Sequence, residues 1–251
     1  AVETGADFIV SGAGLPLELP AMVSDTDIAI APIVSGARAA ALILKYWEKK
    51  YHRYPDFIVI EGPEAGGHLG FSRKQLEEKM DYDMEISEIL KLVRVYEKKA
   101  ERKIPVAVGG GICDKARADH GFMLGADLIQ VASRFITTKE CDADSAYKDA
   151  YLKARKEDIV LVSSPVGMPG RAIRNPFLER VEKGEFQRPQ KCFGCLKHCN
   201  PAEIPYCITE ALIHAVKGDT ENGLLFCGAQ VYLANQIETV QDVMEDLLEG
   251  L

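Results

Sequence analysis

The chain has 251 residues, 47% of them hydrophobic and 27% charged, and a formal net charge of -8. That length suits one large α/β domain, or a domain with a small appendage, with a substantial core, and the acidic balance disfavours nonspecific binding to nucleic acid or to an anionic membrane. The longest apolar runs are too short to cross a bilayer, and four of the seven cysteines crowd between Cys192 and Cys207, a pattern that fits free thiols or a metal better than a disulfide framework. A soluble cytoplasmic protein acting on a small molecule is expected.

The opening AVETGADFIVSG has neither an initiator Met nor a signal pattern and enters a helix end and then a strand, so the chain is expected to begin inside a fold. Short β-branched runs ending in glycine or a small polar residue follow at 8–11, 30–35, 57–61, 106–110 and 128–133, and read as five strands. Between them lie helical patterns. ARAAALILKYWEKKY follows Ser35 as N-cap, and ISEILKLVRVYEKKAERK carries apolar residues at Ile86, Ile89, Leu90, Val93 and Tyr96. The alternation predicts a parallel sheet, and strands apolar nearly throughout are covered on both faces, so a barrel and a doubly wound sheet both fit. After Ser133 a helical stretch at 146–156 leads to SSPVGMPGRAIRNPF, read as a long functional loop, then to the cysteines. Two closing helices end the chain, the second with Thr239 as N-cap and Val240, Val243, Met244, Leu247 and Leu248 on one face.

Three segments carry chemistry. EGPEAGGHLG, from Glu61 to Gly70, follows directly on the strand FIVI and so sits at its C-terminal end, the ligand face of α/β folds. Gly66 and Gly67 permit positive φ or the close approach of a flat ligand, and His68 titrates near neutrality and can move a proton. IPVAVGGGICD ends a strand in Gly109, Gly110 and Gly111 before a helix opening at Asp114, where bare backbone N–H groups suit a phosphate. One βα unit later GADLIQVASRF ends a strand in Gln130, Val131, Ala132 and Ser133, and two adjacent strand ends of this kind can share one phosphate.

These three segments, in this order and spacing, resemble the nitronate monooxygenase family, formerly called 2-nitropropane dioxygenases, which is related to flavin-dependent enoyl-ACP reductase II. The resemblance implies a (βα)8 TIM-type barrel, here lacking its first three βα units (about 90 residues) and carrying a C-terminal Cys-containing helical extension. Residues 1–140 would form units four to eight, and 141–251 a loop, Cys-rich segment and closing helices packed on the barrel. It further implies one noncovalent FMN, bound by Glu61, Gly66, Gly67, Gly110, Gly111, Gln130, Val131, Ala132 and Ser133, with His68 on the family's catalytic histidine. The implied reaction is oxidation of an alkyl nitronate by O2 to a carbonyl compound and nitrite. The alternative is NAD(P)H-dependent reduction of an enoyl thioester, and a homodimer is compatible with either. Two departures bear on the choice. Ala132 and Ser133 stand where the family usually has Gly-Thr, and Glu61 stands where many monooxygenases have Gln and the reductases Glu. Glu64 and Ala65, conversely, give the EAGGH form of the monooxygenases.

Cys192, Cys195, Cys199 and Cys207 give C-x2-C-x3-C-x7-C, which could hold zinc or an iron-sulfur cluster, or be packed and free thiols. A structural or electron-transfer component built on that cluster is the nonenzymatic alternative. His198 between two of them is a weak further ligand. His52 and His120 read as solvated, and His214 as a packing or surface residue. Arg171 and Arg174 could bind a substrate phosphate, close over the flavin, or serve as caps or salt bridges.

Overall fold

The computed structural model describes residues 1–78, 80–195 and 199–250. In chain order the strands and α-helices are β1 (Phe8–Ser11), α1 (Leu19–Met22), β2 (Ala29–Val34), α2 (Ala37–Tyr51), β3 (Ile58–Glu61), β4 (Gly67–His68), α3 (Arg73–Glu77), α4 (Tyr82–Ala100), β5 (Val106–Gly109), α5 (Lys115–Met123), β6 (Leu128–Gln130), α6 (Ser133–Ile136), α7 (Ser145–Lys153), β7 (Ile159–Ser163), β8 (Pro169–Ile173), α8 (Pro176–Glu182), α9 (Ile208–Val216) and α10 (Val240–Leu248). No described helix is long and apolar enough to cross a membrane. The elements fall into two compact units, the first made of residues 1–63, 74–112 and 116–130, the second of 64–73, 113–115 and 131–251.

The first unit is an α/β structure on a parallel sheet of order β1-β2-β3-β5-β6. These are the five strands that the β-branched runs predict, and their sequential parallel order is that of a (βα) barrel wall. Among the described residues the sheet has five strands, with β1 and β6 at its ends. Residues Ala40, Ile43, Leu44 and Trp47 repeat at i, i+3, i+4 and i+7 on α2 and are all buried, as are Ile86, Ile89, Leu90, Val93 and Tyr96 of α4. Together they cover Ile30, Ile58, Ile60 and Val106 of the strands. The wholly buried Trp47 satisfies its indole N–H by donating to the Pro16 carbonyl at 3.1 Å.

Polar groups close the ends of this sandwich. The Asp56 carboxylate accepts the Ile30 N–H at 2.8 Å and pairs with Arg53 and Arg102, and Asp127 does the same for the Val106 N–H at 3.0 Å, pairing with Lys103 and Arg94. Two strand starts are thus tied down by buffered carboxylates. The start of α2 departs from the expected Ser35 cap: Gly36 is the N-cap residue, and the Glu85 carboxylate from α4 accepts the Ala37 N–H instead. A Cβ on Gly36 would lie 2.9 Å from that carboxylate, so the glycine makes room for a cap supplied from another helix.

The second unit holds a feature that the sequence reading missed. SSPVGMPGRAIRNPF is not one long loop: most of it belongs to the antiparallel hairpin β7–β8, to which β4 adds as a third strand in the order β4-β8-β7. The Pro and Gly that suggested a loop serve the tight turn, with Gly167 at φ +83, and a close approach at Gly170, where a Cβ would meet the Phe226 ring at 2.8 Å. Pairing of β4 with β8 also places 64–73 in the second unit, although sequence order puts that segment within the first 140 residues. Two apolar clusters pack this unit, one around Phe177, Tyr206 and Leu224, the other around Tyr151, Leu225 and Val231. Thr239 caps α10 in a capping box with Asp242 as its sequence predicts, but only Val243 and Leu247 of the expected apolar face are buried, while Met244 and Leu248 are exposed.

Replacing Trp47 by Ala is expected to cost about 3–5 kcal/mol, because a void that no neighbour can fill replaces the largest buried side chain of the first core. Chemical denaturation would show it as a lowered midpoint at an unchanged slope.

Candidate active site

In the first unit, register brings three residues to one edge of the sheet. Glu61 ends β3 opposite Gly109 of β5, and Gly109 lies opposite Gln130 of β6, all at the C-terminal ends of their strands. The Tyr82 hydroxyl donates to the Ser35 and Glu61 carbonyls at 3.0 and 3.1 Å, and the Gly62 N–H donates to the Gly109 carbonyl at 2.9 Å. A Cβ on Gly109 would sit 3.1 Å from the Gln130 Cβ, so this first glycine is a packing requirement. The next two differ in kind. Gly110 and Gly111 adopt φ values of +99 and +78, a stretch of backbone without Cβ atoms that runs toward the start of α5. Such a stretch presents bare N–H groups and fits a phosphate. Glu61 is half-buried, and burial pushes its carboxyl up to about 7.

In the second unit the centre is His68. The two residues of β4 pair with β8, Gly67 opposite Arg171 and His68 opposite Gly170, and the Leu69 N–H extends the pairing to the Pro169 carbonyl at 2.8 Å. That pairing holds the imidazole, whose Nε2 is 2.7 Å from the Oγ of buried Ser164. The Phe226 ring meets the imidazole edge to face, 5.0 Å between centroids at 70°. Partial burial pushes the His68 pKa below its ordinary value of 6.5, so the ring is neutral at pH 7. If Nε2 carries the proton it donates to Ser164 and leaves the Nδ1 lone pair as a base; if Nδ1 carries it, the Ser164 hydroxyl donates to Nε2 and Nδ1–H is a donor.

The glycines before His68 have separate reasons. A Cβ on Gly66 would come within 2.5 Å of the Cys227 carbonyl carbon, so its bareness follows from packing against another stretch of backbone in this unit. Gly67 is the one at positive φ, +70. The segment is held from the other side as well: the Ala229 N–H donates to the Glu64 carbonyl at 3.0 Å, Gln230 to the Glu64 carboxylate at 3.1 Å, and the Arg171 guanidinium to the Ala65 carbonyl. Arg171 is therefore a strut for the His68 segment. Ser133 opens α6, and its Oγ accepts the Gly228 N–H at 3.0 Å, which leaves its own O–H to donate. Val131 is half-buried and Ala132, the N-cap residue, exposed.

Ser164 and Phe226 escaped the sequence reading. Ser164 lies 96 residues from His68 in the chain, and no local pattern links them. Of the other candidates, Arg174 pairs with Glu182 at 3.0 Å, His52 ends α2 at φ +50, His120 pairs with Asp83 and His214 with Asp219, both at 2.9 Å. His198 lies outside the described residues. Cys192, Cys195, Cys199 and Cys207 line one small cavity of about 30 Å³, and all four are free thiols. Among the described residues no group of three or more His, Cys, Asp or Glu side chains stands where it could hold a metal ion, so the expectation of a preformed zinc or iron-sulfur centre is not supported.

Comparison with known proteins bears on the fold and the family. Probable nitronate monooxygenases of Staphylococcus saprophyticus and of Staphylococcus aureus strain Newman are 28% and 31% identical to the chain over 134 residues, a stretch that is 53% of this chain and 36% of each relative. The chain thus matches about a third of the length of these curated relatives. Among solved structures, FabK from Thermotoga maritima superposes on 99% of this chain and 68% of its own at a TM-score of 0.74 and 25% identity. A nitroalkane oxidase from Streptomyces ansochromogenes shares the fold, covering 99% of this chain and 66% of its own at a TM-score of 0.71 and 19% identity. The nitronate monooxygenase family model matches residues 1–250, and the chain belongs to that family.

Proposed function

We propose that this chain takes part in FMN-dependent oxidation of alkyl nitronates, with O2 as co-substrate and a carbonyl compound and nitrite as products. The observation that carries the reading is an imidazole held on β4 by Ser164 and Phe226, in a member of this family. FMN, when bound, supplies the redox chemistry. Its proposed contacts in the first unit are Glu61, Gly110, Gly111 and Gln130, of which Gly110 and Gly111 offer N–H groups to a phosphate.

The work assigned to the protein is proton handling and orientation. Toward a nitroalkane, the ring nitrogen of His68 not engaged with Ser164 takes the proton from the carbon bearing the nitro group, leaving the nitronate. Toward a nitronate supplied as such, the same nitrogen, protonated, donates a hydrogen bond to a nitro oxygen. Ser164 limits rotation of the ring, and the Phe226 contact keeps water from one side of it.

His68→Asn is expected to lower the rate with a neutral nitroalkane by about 10²–10⁴, the usual worth of a general base, and to lower it much less with a preformed nitronate. Oxygen-consumption assays with the two substrate forms would separate the roles, and equal losses on both would rule out the base. The nitroalkane rate should rise with pH through a value below 6.5, since the neutral ring is the active form and burial favours it.

Glu61 makes a separate prediction about stability. Its folded value, about 7, lies above the ordinary 4.5, so its contribution is fully present below pH 4.5 and is lost as pH rises through 7. Glu61→Gln should flatten the fall in Tm across that window, as thermal scans at a series of pH values would show.

A second reading, NAD(P)H-dependent reduction of an enoyl thioester, is favoured by Glu61 and by the similarity to FabK. Anaerobic stopped-flow mixing of the FMN-loaded protein decides between them. Rapid flavin bleaching by NADH or NADPH supports the reductase, and bleaching by a nitronate alone supports the oxidation.

A further inference from the structure

We infer that Tyr151, with Tyr147 behind it, is a positioning residue for His68: it fixes the backbone that carries the Phe226 ring against the imidazole. The inference rests on His68 as the working group of the proposed reaction, and it adds α7 to what holds that group. Residues 225–227 run antiparallel to β8. The Ile173 N–H donates to the Leu225 carbonyl at 2.9 Å and the Cys227 N–H to the Arg171 carbonyl at 3.1 Å, on either side of the Ala172–Phe226 pair. In a pair of this kind the two middle residues turn their own N–H and C=O groups away from each other, so the Phe226 carbonyl points away from β8 and has to be satisfied elsewhere. Tyr151 does this, its hydroxyl donating to that carbonyl. Leaving the carbonyl unpaired in the interior is costly, so the bond governs where the Phe226 backbone rests.

Tyr147 and Tyr151 stand four residues apart on α7, about one helical turn, and their hydroxyls meet at 2.7 Å. Tyr151 uses its single proton on the carbonyl, so Tyr147 is the donor to Tyr151, and the two bonds polarise each other. Tyr151 is wholly buried, which pushes its pKa well above the ordinary value and keeps the hydroxyl a donor. At the other end the Phe226 ring lies in a slot floored by glycine. A Cβ on Gly170 would meet the ring at 2.8 Å, and one on Gly67 would stand 4.0 Å from it. Gly170 is the residue opposite His68 and Gly67 the one before it. Glycine gives the ring room but no side chain to steer it, so the ring follows its backbone. That ring packs on the Phe177–Tyr206 cluster, whereas Tyr151 belongs to the cluster with Leu225 and Val231. Phe226 thus joins the two apolar clusters of the second unit, and the imidazole, 5.0 Å from it between centroids, senses any slip between them.

The test reads the imidazole directly and needs no turnover, so its outcome is separate from that of the nitronate reading. Proton NMR of the whole chain at about pH 8, where the ring is neutral, follows the His68 ring protons, assigned by their loss in His68→Asn. Tyr151→Phe keeps the buried ring and removes only the hydroxyl. It should move the His68 signals toward the position they take in Phe226→Leu, where the ring current of Phe226 is gone. Tyr147→Phe, at a less buried position, should move them the same way by less. Leu247→Ala, a core loss on α10 of the same unit, should leave them in place. With a nitroalkane as substrate, Tyr151→Phe should lower kcat by about ten- to a hundredfold at a nearly unchanged KM, the mark of a misaligned base. His68 signals that stay in place in both tyrosine variants overturn the inference, and so does equal movement in Leu247→Ala. If Tyr151→Phe does not fold, Tyr147→Phe decides by the same signal. Movement in the tyrosine variants of a chain that oxidises no nitroalkane supports the positioning role and removes the proposed reaction.

Discussion

The second unit is organised by a pairing only two residues long. Gly67 and His68 add to the edge of β8, and from that follow the direction of the imidazole, its approach to Ser164 and its contact with Phe226. A two-residue strand has little stability of its own. It is held because Arg171 bonds the Ala65 carbonyl, Ala229 and Gln230 bond Glu64, and bare Gly66 lets the backbone at Cys227 close to contact distance. Apart from the Gln230–Glu64 side-chain bond, each contact constrains backbone rather than the imidazole, and rigid backbone keeps a side chain oriented.

The first unit answers a different demand. Its sheet is apolar on both faces and is covered by α2 and α4, so every polar group that remains has to be placed at a strand end. At the starts of β2 and β5 these groups are Asp56 and Asp127, each neutralised by two cations. At the other ends they are Glu61, Gln130 and the glycines after β5, where Glu61 carries a raised pKa and Gly110 and Gly111 take a conformation that side chains resist. Ion-paired carboxylates thus stand at one edge and the residues proposed for cofactor binding at the other, the edge at which α/β folds commonly take ligands.

Most of the first unit was legible in the sequence, because each of its signals is local. The β-branched runs, the helical period of α4 and the glycines at 109–111 can all be read from a short window, and the strands and buried faces lie where that reading puts them. The Glu85 cap on α2 was hidden because its donor and acceptor are 48 residues apart. The same limit explains the hairpin: the composition of 163–177 resembles a loop until Phe226 and the Gly67 carbonyl are known to press on Gly170. His68 stood out by residue type and place, but Ser164, Phe226 and the true reason for Gly66 depend on partners far along the chain.

This separation along the chain has a consequence for synthesis. When the ribosome has delivered the chain through Gln130, the five described strands of the parallel sheet and both of its long covering helices exist and can begin to pack. His68 has by then been made, yet its strand partner and its hydroxyl partner have not, since Ser164 and Gly170 come more than 90 residues later. The nascent protein therefore carries a scaffold before it carries an oriented imidazole, and a chain stalled between those points would hold a sheet without the partners that fix His68.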